Sequence, residues 1–420
     1  MNNKVLSYLA FAFATSLPFA HGINNIILGL FYSVVIILVI SKQLCYQKDN
    51  VPLLLGSTIL LILPVFWSFI LVDDFTPVVT ALTRRLSFVL TPIAFIFISK
   101  EALYQIRKSS LKGLVYGGLI SSLYLIITVF GKFYSKRPSF TIDENLFNYF
   151  HTGYNYTNAI GIHPSYIGMY ILFGIIVLLF TNLFRNRFYT FISFGILSLS
   201  ILFINSRVIQ ILYFLVLALF FFKLYFHIIK RKYLAFICIL GSSLLVTFLF
   251  SNLFSNTYLY QRLTDELLWE LSYEVGTNYN SFGKGDSRLA RWDAAIQVIK
   301  DRPLFGYGVS METDVLSQQY SEMEMHIAAE ERYNSHNQFL GYTIEGGLIA
   351  LALLCLYLCY NLVIAVKKHN LIFILFFIAI ATICLVENYL VRNAGITFVS
   401  FFGAVFLFSN SEKSKLNNLN

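Results

Sequence analysis

Apolar residues fall in long unbroken stretches, and the polar residues gather in the gaps between them. Stretches occur at about 5–20, 23–40, 51–71, 86–99, 110–130, 164–181, 188–204, 208–222, 233–250, 338–360, 370–386 and 394–409. With their flanks, most approach the roughly 20 residues that a helix rising about 1.5 Å per residue needs to cross a bilayer. The pattern predicts an all-α polytopic membrane protein of about 12 transmembrane helices. Segment 5–20, preceded by Lys4, also has the look of a cleavable leader. Pro18 and Phe19 make a poor cut before Ala20 and another apolar run follows at once, so the segment is read as a short first span.

Two gaps are too long to be simple connections, 131–163 between the fifth and sixth runs and 251–336 between the ninth and tenth. The expected organisation is therefore nine helices over 1–250, a large and partly helical loop over 251–336, three helices over 337–410 and a tail over 411–420. Inside the large loop, Leu289, Trp292, Ile296 and Ile299 recur at spacings of three and four, predicting a helix between Ser287 and Lys300 with one apolar stripe. Pro303 stops it, and Gly306 and Gly308 supply a tight turn. A second helix is expected from about Asp314 to Arg332, and Ser281 to Gly285 reads as a turn. No internal repeat is evident.

Composition fits a lipid environment. The chain is 57% hydrophobic and 13% charged, against about 45–50% and about 25% in average soluble proteins. A soluble globule could not hide that much apolar surface. The formal charge of +9 raises the question of nucleic acid, but the basic residues lie mostly in short segments between apolar runs. No P-loop, zinc-finger or RNP pattern is present, so nucleic acid is not an expected partner. With the N-terminus inside, the inner segments hold more than half of the 31 lysines and arginines and only three acids, Asp49, Glu101 and Glu412. That asymmetry places both termini in the cytoplasm and the large loop on the opposite face. The five cysteines lie within apolar runs or at their inner ends, so no disulfide framework is implied.

Against this bias, several cations stand on the outer side. Arg84 and Arg85 precede the fourth run, Arg207 sits in the short turn between the seventh and eighth, and Arg392 follows Glu387 near the outer end of the eleventh. Arg288 and Arg291 share a side of the loop helix. Guanidiniums converging there would hold a phosphate or diphosphate through charge-assisted bonds; the competing reading is snorkelling to headgroups or pairing with local acids. His336, in NSHNQFL, stands where the large loop enters the tenth run. A helix N-terminus favours neutral imidazole and so a general base, while a plain cap is the structural alternative. His163 is a candidate for binding substrate, and the structural alternative is that Pro164 at a first helical turn accounts for its neighbourhood. No HExxH, calcium-loop or DxD spacing occurs, and no metal or other cofactor is expected. A secondary transporter is the alternative class. The middles of the predicted runs are almost free of ionisable residues, and Pro64 and Pro92 have no counterparts in the second half, which argues against it.

DSRLARWDAAIQVIKDRPLFGYGVS (286–310) followed by SHNQFLGYTIEGGLIALALL (335–354) resembles the signature region of the bacterial O-antigen ligase and polymerase superfamily. INSRVIQI (204–211) resembles that family's Ser-Arg turn, and HPSYIGMY (163–170) its segment before the middle spans. The resemblance implies a metal-independent glycosyltransferase of the bacterial inner membrane, acting on the periplasmic face. It implies that Arg207 and Arg288 bind the diphosphate of an undecaprenyl-diphosphate-linked glycan donor and that His336 acts on the acceptor hydroxyl. Arg84 matches a basic residue at the outer end of an early span, with Arg85 an equal choice; Glu387 falls near a polar residue of the late spans. The acceptor it implies is another lipid-linked repeat unit for a polymerase, lipid A core for a ligase or a protein hydroxyl for an oligosaccharyltransferase, with polysaccharide-assembly proteins as partners.

Overall fold

The computed structural model describes residues 2–19, 21–135, 144–184, 186–229, 233, 237, 255–280 and 283–409. The expected ninth span and the tail 411–420 lie almost wholly outside these. In chain order the helices are α1 (Asn2–Ser16), α2 (His21–Ile40), α3 (Leu63–Leu71), α4 (Thr76–Arg85), α5 (Ser87–Ile96), α6 (Lys100–Ser135), α7 (Gly153–Thr157), α8 (Pro164–Phe180), α9 (Arg187–Ile204), α10 (Arg207–Ile229), α11 (Tyr258–Leu263) and α12 (Asp265–Glu270). A small antiparallel hairpin of β1 (Thr277–Asn280) and β2 (Gly283–Gly285) follows. The chain continues as α13 (Arg288–Asp301), α14 (Glu312–Glu322), α15 (His326–Glu330), α16 (Gln338–Lys367), α17 (Leu371–Cys384) and α18 (Asn393–Phe408). The hairpin is a departure from an all-α fold, formed where a turn was expected.

Among the described residues six helices are long and apolar enough to cross a membrane, and two bent helix pairs raise the number to as many as eight. Large apolar side chains such as Ile36, Ile37, Ile70, Ile127 and Phe191 point outward from them. Only lipid solvates such surfaces well, and the chain is a multi-pass membrane protein.

The spans at 51–71 and 86–99 differ from their sequence outlines in ways that bear on the site. The run at 51–71 is broken: 3-10 turns at Lys48–Gly56 and Thr58–Ile62 precede α3, and the pair bends by 47°. Gly56 has no room for a Cβ against the Tyr360 ring, and its carbonyl accepts a bond from Asn361 at 2.7 Å. The fourth run begins earlier than 86. Arg84 and Arg85, expected in a connection, lie inside a continuous helical span over Thr76–Ile96.

The chain divides into two compact units, one built mainly from residues 21–110 and 266–409 and the other mainly from 111–265. In the first, α13, α14, α15 and the start of α16 share a core of Ala290, Ala294, Ala295, Val298, Leu316, Tyr320, Met325, Ala328 and Ile344. The expected stripe on α13 is corrected by this packing. Leu289 and Ile296 are exposed, and the alanines face inward because small side chains let the helices approach closely. The second predicted loop helix is two helices, separated at Glu324, whose φ is 57°.

α16 is itself interrupted. Gly347 has φ 69° and ψ −170°, which ends the first two turns of the helix and starts a second segment. The interruption would orphan backbone groups, and the Pro303–Gly308 turn supplies their partners. Tyr307 N donates to the Ile344 carbonyl at 2.9 Å, Gly308 N to the Glu345 carbonyl at 2.8 Å, and Leu348 N to the Pro303 carbonyl at 2.7 Å. A Cβ on Gly347 would collide with the Leu304 carbonyl, and one on Gly306 with that of Ile344. The two glycine motifs, PLFGYG and EGG, are thus halves of one contact.

Candidate active site

Asn334–Gln338 forms a tightly held turn at the head of α16. The Asn334 side chain accepts from His336 N at 3.0 Å, and the Asn337 side chain caps the helix by accepting from Phe339 N and Leu340 N at 3.0 and 3.3 Å. Trp292 on α13 donates its indole N–H to the Ser335 carbonyl at 2.9 Å, tying the turn to the loop helix. Gln338 is buried, and its side-chain oxygen accepts from Leu390 N at 2.5 Å, which brings in the turn between α17 and α18. Between these anchors His336 takes φ 48°. For a non-glycine residue that left-handed backbone costs about 1–3 kcal/mol and persists only where the surroundings enforce it.

The enforced conformation sets the imidazole beside Glu387. His336 Nδ1 lies 3.5 Å from Glu387 Oε1, with the two side chains 30% and 15% exposed, so both reach the surface. This is ion-pair range, longer than a hydrogen bond.

A second carboxylate lies just behind. Glu312, at the start of α14, is buried; its Oε1 accepts from Ser335 N at 3.0 Å and Ser335 Oγ at 2.6 Å, and its Oε2 from Asn388 Nδ2 at 2.5 Å. Burial pushes the Glu312 carboxyl above its ordinary range and the nearby Glu345 carboxylate adds to this, while the bonds from Ser335 and Asn388 pull the other way. Glu345 in turn pairs with Arg85 at 2.8 Å, and its other oxygen accepts from Ser310 N at 2.8 Å. Both members of that pair are buried, and the Arg85 guanidinium lies 5.6 Å from the Tyr342 ring centre.

Arg288 opens α13. Ser287 caps that helix by accepting from Ala290 N at 3.4 Å, and Glu270 Oε2 accepts from Arg288 N at 3.0 Å. The same oxygen lies 3.7 Å from both Arg288 Nε and Arg291 Nη2. Arg288 keeps 22% of its side chain exposed whereas Arg291 keeps 6% and rests over the Tyr333 ring. Arg85 and Arg291, expected at a substrate surface, are therefore held inside the first unit against its own carboxylates. Arg84 and Arg392 are exposed, Arg392 at the N-cap position of α18.

In the second unit, Arg207 is the first residue of α10 and half-buried; the preceding Ser206 carbonyl accepts the first helical bond from Gln210 N at 2.9 Å. Arg207 and Arg288 thus share a placement, each following a serine at a helix N-terminus. His163 caps α8, its Nδ1 accepting from Ser165 N at 3.3 Å, and packs edge-on to Tyr154 and Tyr166.

Glu312, Asn388, Glu270 and Glu345 were not singled out from the sequence. Of these only Glu345 left a local trace, as an acid inside an apolar run next to two glycines. Among the described residues no group of three or more metal-ligating side chains occurs.

None of the curated proteins matches the chain significantly. The family model described as O-antigen ligase matches residues 192–355, a segment that contains Arg207, Arg288 and His336 but none of Arg84, Arg85, His163, Glu387 and Arg392. Helical multi-pass architecture agrees with that match, and over those residues the chain is similar to the O-antigen ligase family.

Proposed function

We propose that the donor is an undecaprenyl-diphosphate-linked glycan, that the acceptor is a sugar hydroxyl, and that the reaction needs no metal. The observation that carries this reading is the His336–Glu387 pair, fixed at the head of α16 by a turn that Trp292 links to the helix opened by Arg288. A carboxylate facing Nδ1 favours the tautomer with its proton there, which leaves Nε2 to accept one. His336 takes the proton of the acceptor hydroxyl; the oxygen attacks the anomeric carbon as the bond to the diphosphate breaks, and the donor configuration inverts. Glu387 then stabilises the imidazolium. Undecaprenyl diphosphate leaves with its bonding electrons, and its growing charge is met by Arg288, the cation on the same unit as His336; the family resemblance implies the same role for Arg207. Glu270 holds the Arg288 guanidinium in place at the start of α13, and the part of that side chain left exposed can make charge-assisted bonds to a phosphate oxygen.

The topology in this reading has about twelve spans, both termini in the cytoplasm, residues 251–336 between the ninth and tenth spans, and the site on the periplasmic face of a bacterial inner membrane. The distribution of lysine and arginine supports it. Measuring glycan transfer in vesicles tests the roles. H336A and R288A should each lower turnover at least about a hundredfold, the lower end of the range for general-base loss, and R288K should also be impaired because the fork is lost while the charge remains. Near-normal turnover in both alanine variants would end the assignment. Deleting the gene and separating surface glycans by size identifies the acceptor. A core bearing one repeat unit marks a polymerase, and accumulated polymer unattached to core marks a ligase.

A further inference from the structure

We propose that Glu312 is a positioning residue that sets the separation of His336 and Glu387; the proposal rests on reading those two as the proton-accepting pair. The two residues lie on different connections, 51 positions apart in the chain, and no bond between their own backbones is needed to align them. Their neighbours are aligned instead. Ser335 precedes His336 and bonds one oxygen of Glu312; Asn388 follows Glu387 and bonds the other. Ser335 Oγ also lies 3.4 Å from Asn388 Oδ1, closing the ring. One carboxylate, delivered by a third element, therefore spans the roots of both partners.

The space for this clasp is built in. A Cβ on Gly341, in the first turn of α16, would stand 3.0 Å from each Glu312 oxygen and 2.9 Å from Asn388 Nδ2. The charged and titratable side chains around the clasp are His336 and Glu387, Glu345 with Arg85, and Tyr320 on the same helix as Glu312. With the Glu345 charge already matched by Arg85, the distance from His336 to Glu387 is left to govern how well the imidazolium is stabilised. Small displacements of such groups cost up to about a hundredfold in rate.

The test is donor-dependent glycan transfer by the full chain in vesicles, normalised to folded protein, with kcat, KM for the lipid-linked donor and the pH profile recorded for E312Q, the swap E312Q/N388D, and E387Q. Glutamine presents Asn388 with an amide and breaks the match of donors and acceptors, and the swap restores it with the carboxylate moved across the bond. E312Q is expected to lower kcat at least about tenfold, to leave KM for the donor within about twofold, and to change the pH profile. The swap is expected to recover both rate and profile. A role in stability alone would change the folded yield and not the profile. Native kcat and profile in E312Q, or no recovery in the swap, overturns the proposal. If E312Q does not fold, G341A replaces it: the crowded carboxylate should give the same lowered kcat and changed profile, and a native kcat and profile there overturn the proposal equally. E387Q separates the two ideas. If E387Q leaves the profile untouched, the His336–Glu387 reading fails; if it shifts the profile and E312Q does not, only the role of Glu312 fails.

Discussion

Removing one member of the Arg85–Glu345 pair should be among the most damaging single changes in the first unit. The charges are 2.8 Å apart with 3% and 5% of their side chains exposed. Coulomb's law at an effective dielectric of about 20 gives an attraction of roughly 6 kcal/mol at that distance, against which stands the desolvation of both ions. The surplus is small, so the pair itself adds little stability, but a lone survivor keeps its desolvation cost without the attraction. E345A is therefore expected to destabilise by about 3–5 kcal/mol, with about 1–3 kcal/mol of it traceable to the Ser310 N–H left without its acceptor. R85M should cost a similar amount, because Glu345 would be stranded. The double variant R85M/E345M removes both ions together and should be clearly more stable than the sum of the single losses implies. Reversible unfolding in bicelles, followed as a double-mutant cycle, measures this. A coupling energy below about 1 kcal/mol would refute the reasoning, since it would place the pair with exposed ion pairs.

Three further outcomes follow from the same geometry. G347A should lose most folded protein, because its Cβ would enter the Leu304 carbonyl at a backbone angle of φ 69°; detergent-extracted yield and size-exclusion profile check it. W292F should destabilise by about 1–3 kcal/mol, the usual cost of leaving a buried acceptor such as the Ser335 carbonyl unmatched, with a parallel fall in transfer rate. In the wild type, the raised Glu312 carboxyl means that the folded state binds the proton more tightly than the unfolded chain. Its contribution is most favourable at low pH and is lost as pH rises from the ordinary glutamate range through the raised value. The stability of E312Q relative to wild type should therefore climb with pH across that window, and a flat difference in melting temperature would contradict it.

Helices whose lipid-facing and buried sides are both apolar were legible from the sequence almost to the residue. The run at 164–181 became Pro164–Phe180, that at 188–204 became Arg187–Ile204, and that at 23–40 became His21–Ile40. What stayed hidden depended on partners distant in the chain. A hydropathy window ends a span at Arg84 and Arg85, because nothing local says that Arg85 will be matched by Glu345, 260 positions away. On α13 the large residues were assigned to the core by size, whereas the alanines occupy it because neighbouring helices come close. The place of His336 at the head of α16 was legible because a long apolar run starts just after it. Glu312 was not, since an acid in a polar loop carries no sign that three donors will enclose it.

Interlocking of the Pro303–Gly308 turn with the broken α16 also limits how this enzyme can be re-engineered. A graft that exchanges only residues 251–336 for a stretch whose turn does not present the same amides would strip the carbonyls of Ile344 and Glu345 of their donors, a loss of about 1–3 kcal/mol for each buried group left unmatched. Donor or acceptor preference should therefore transfer between relatives only when the insert runs on through Leu348, so that host and guest never meet across that seam.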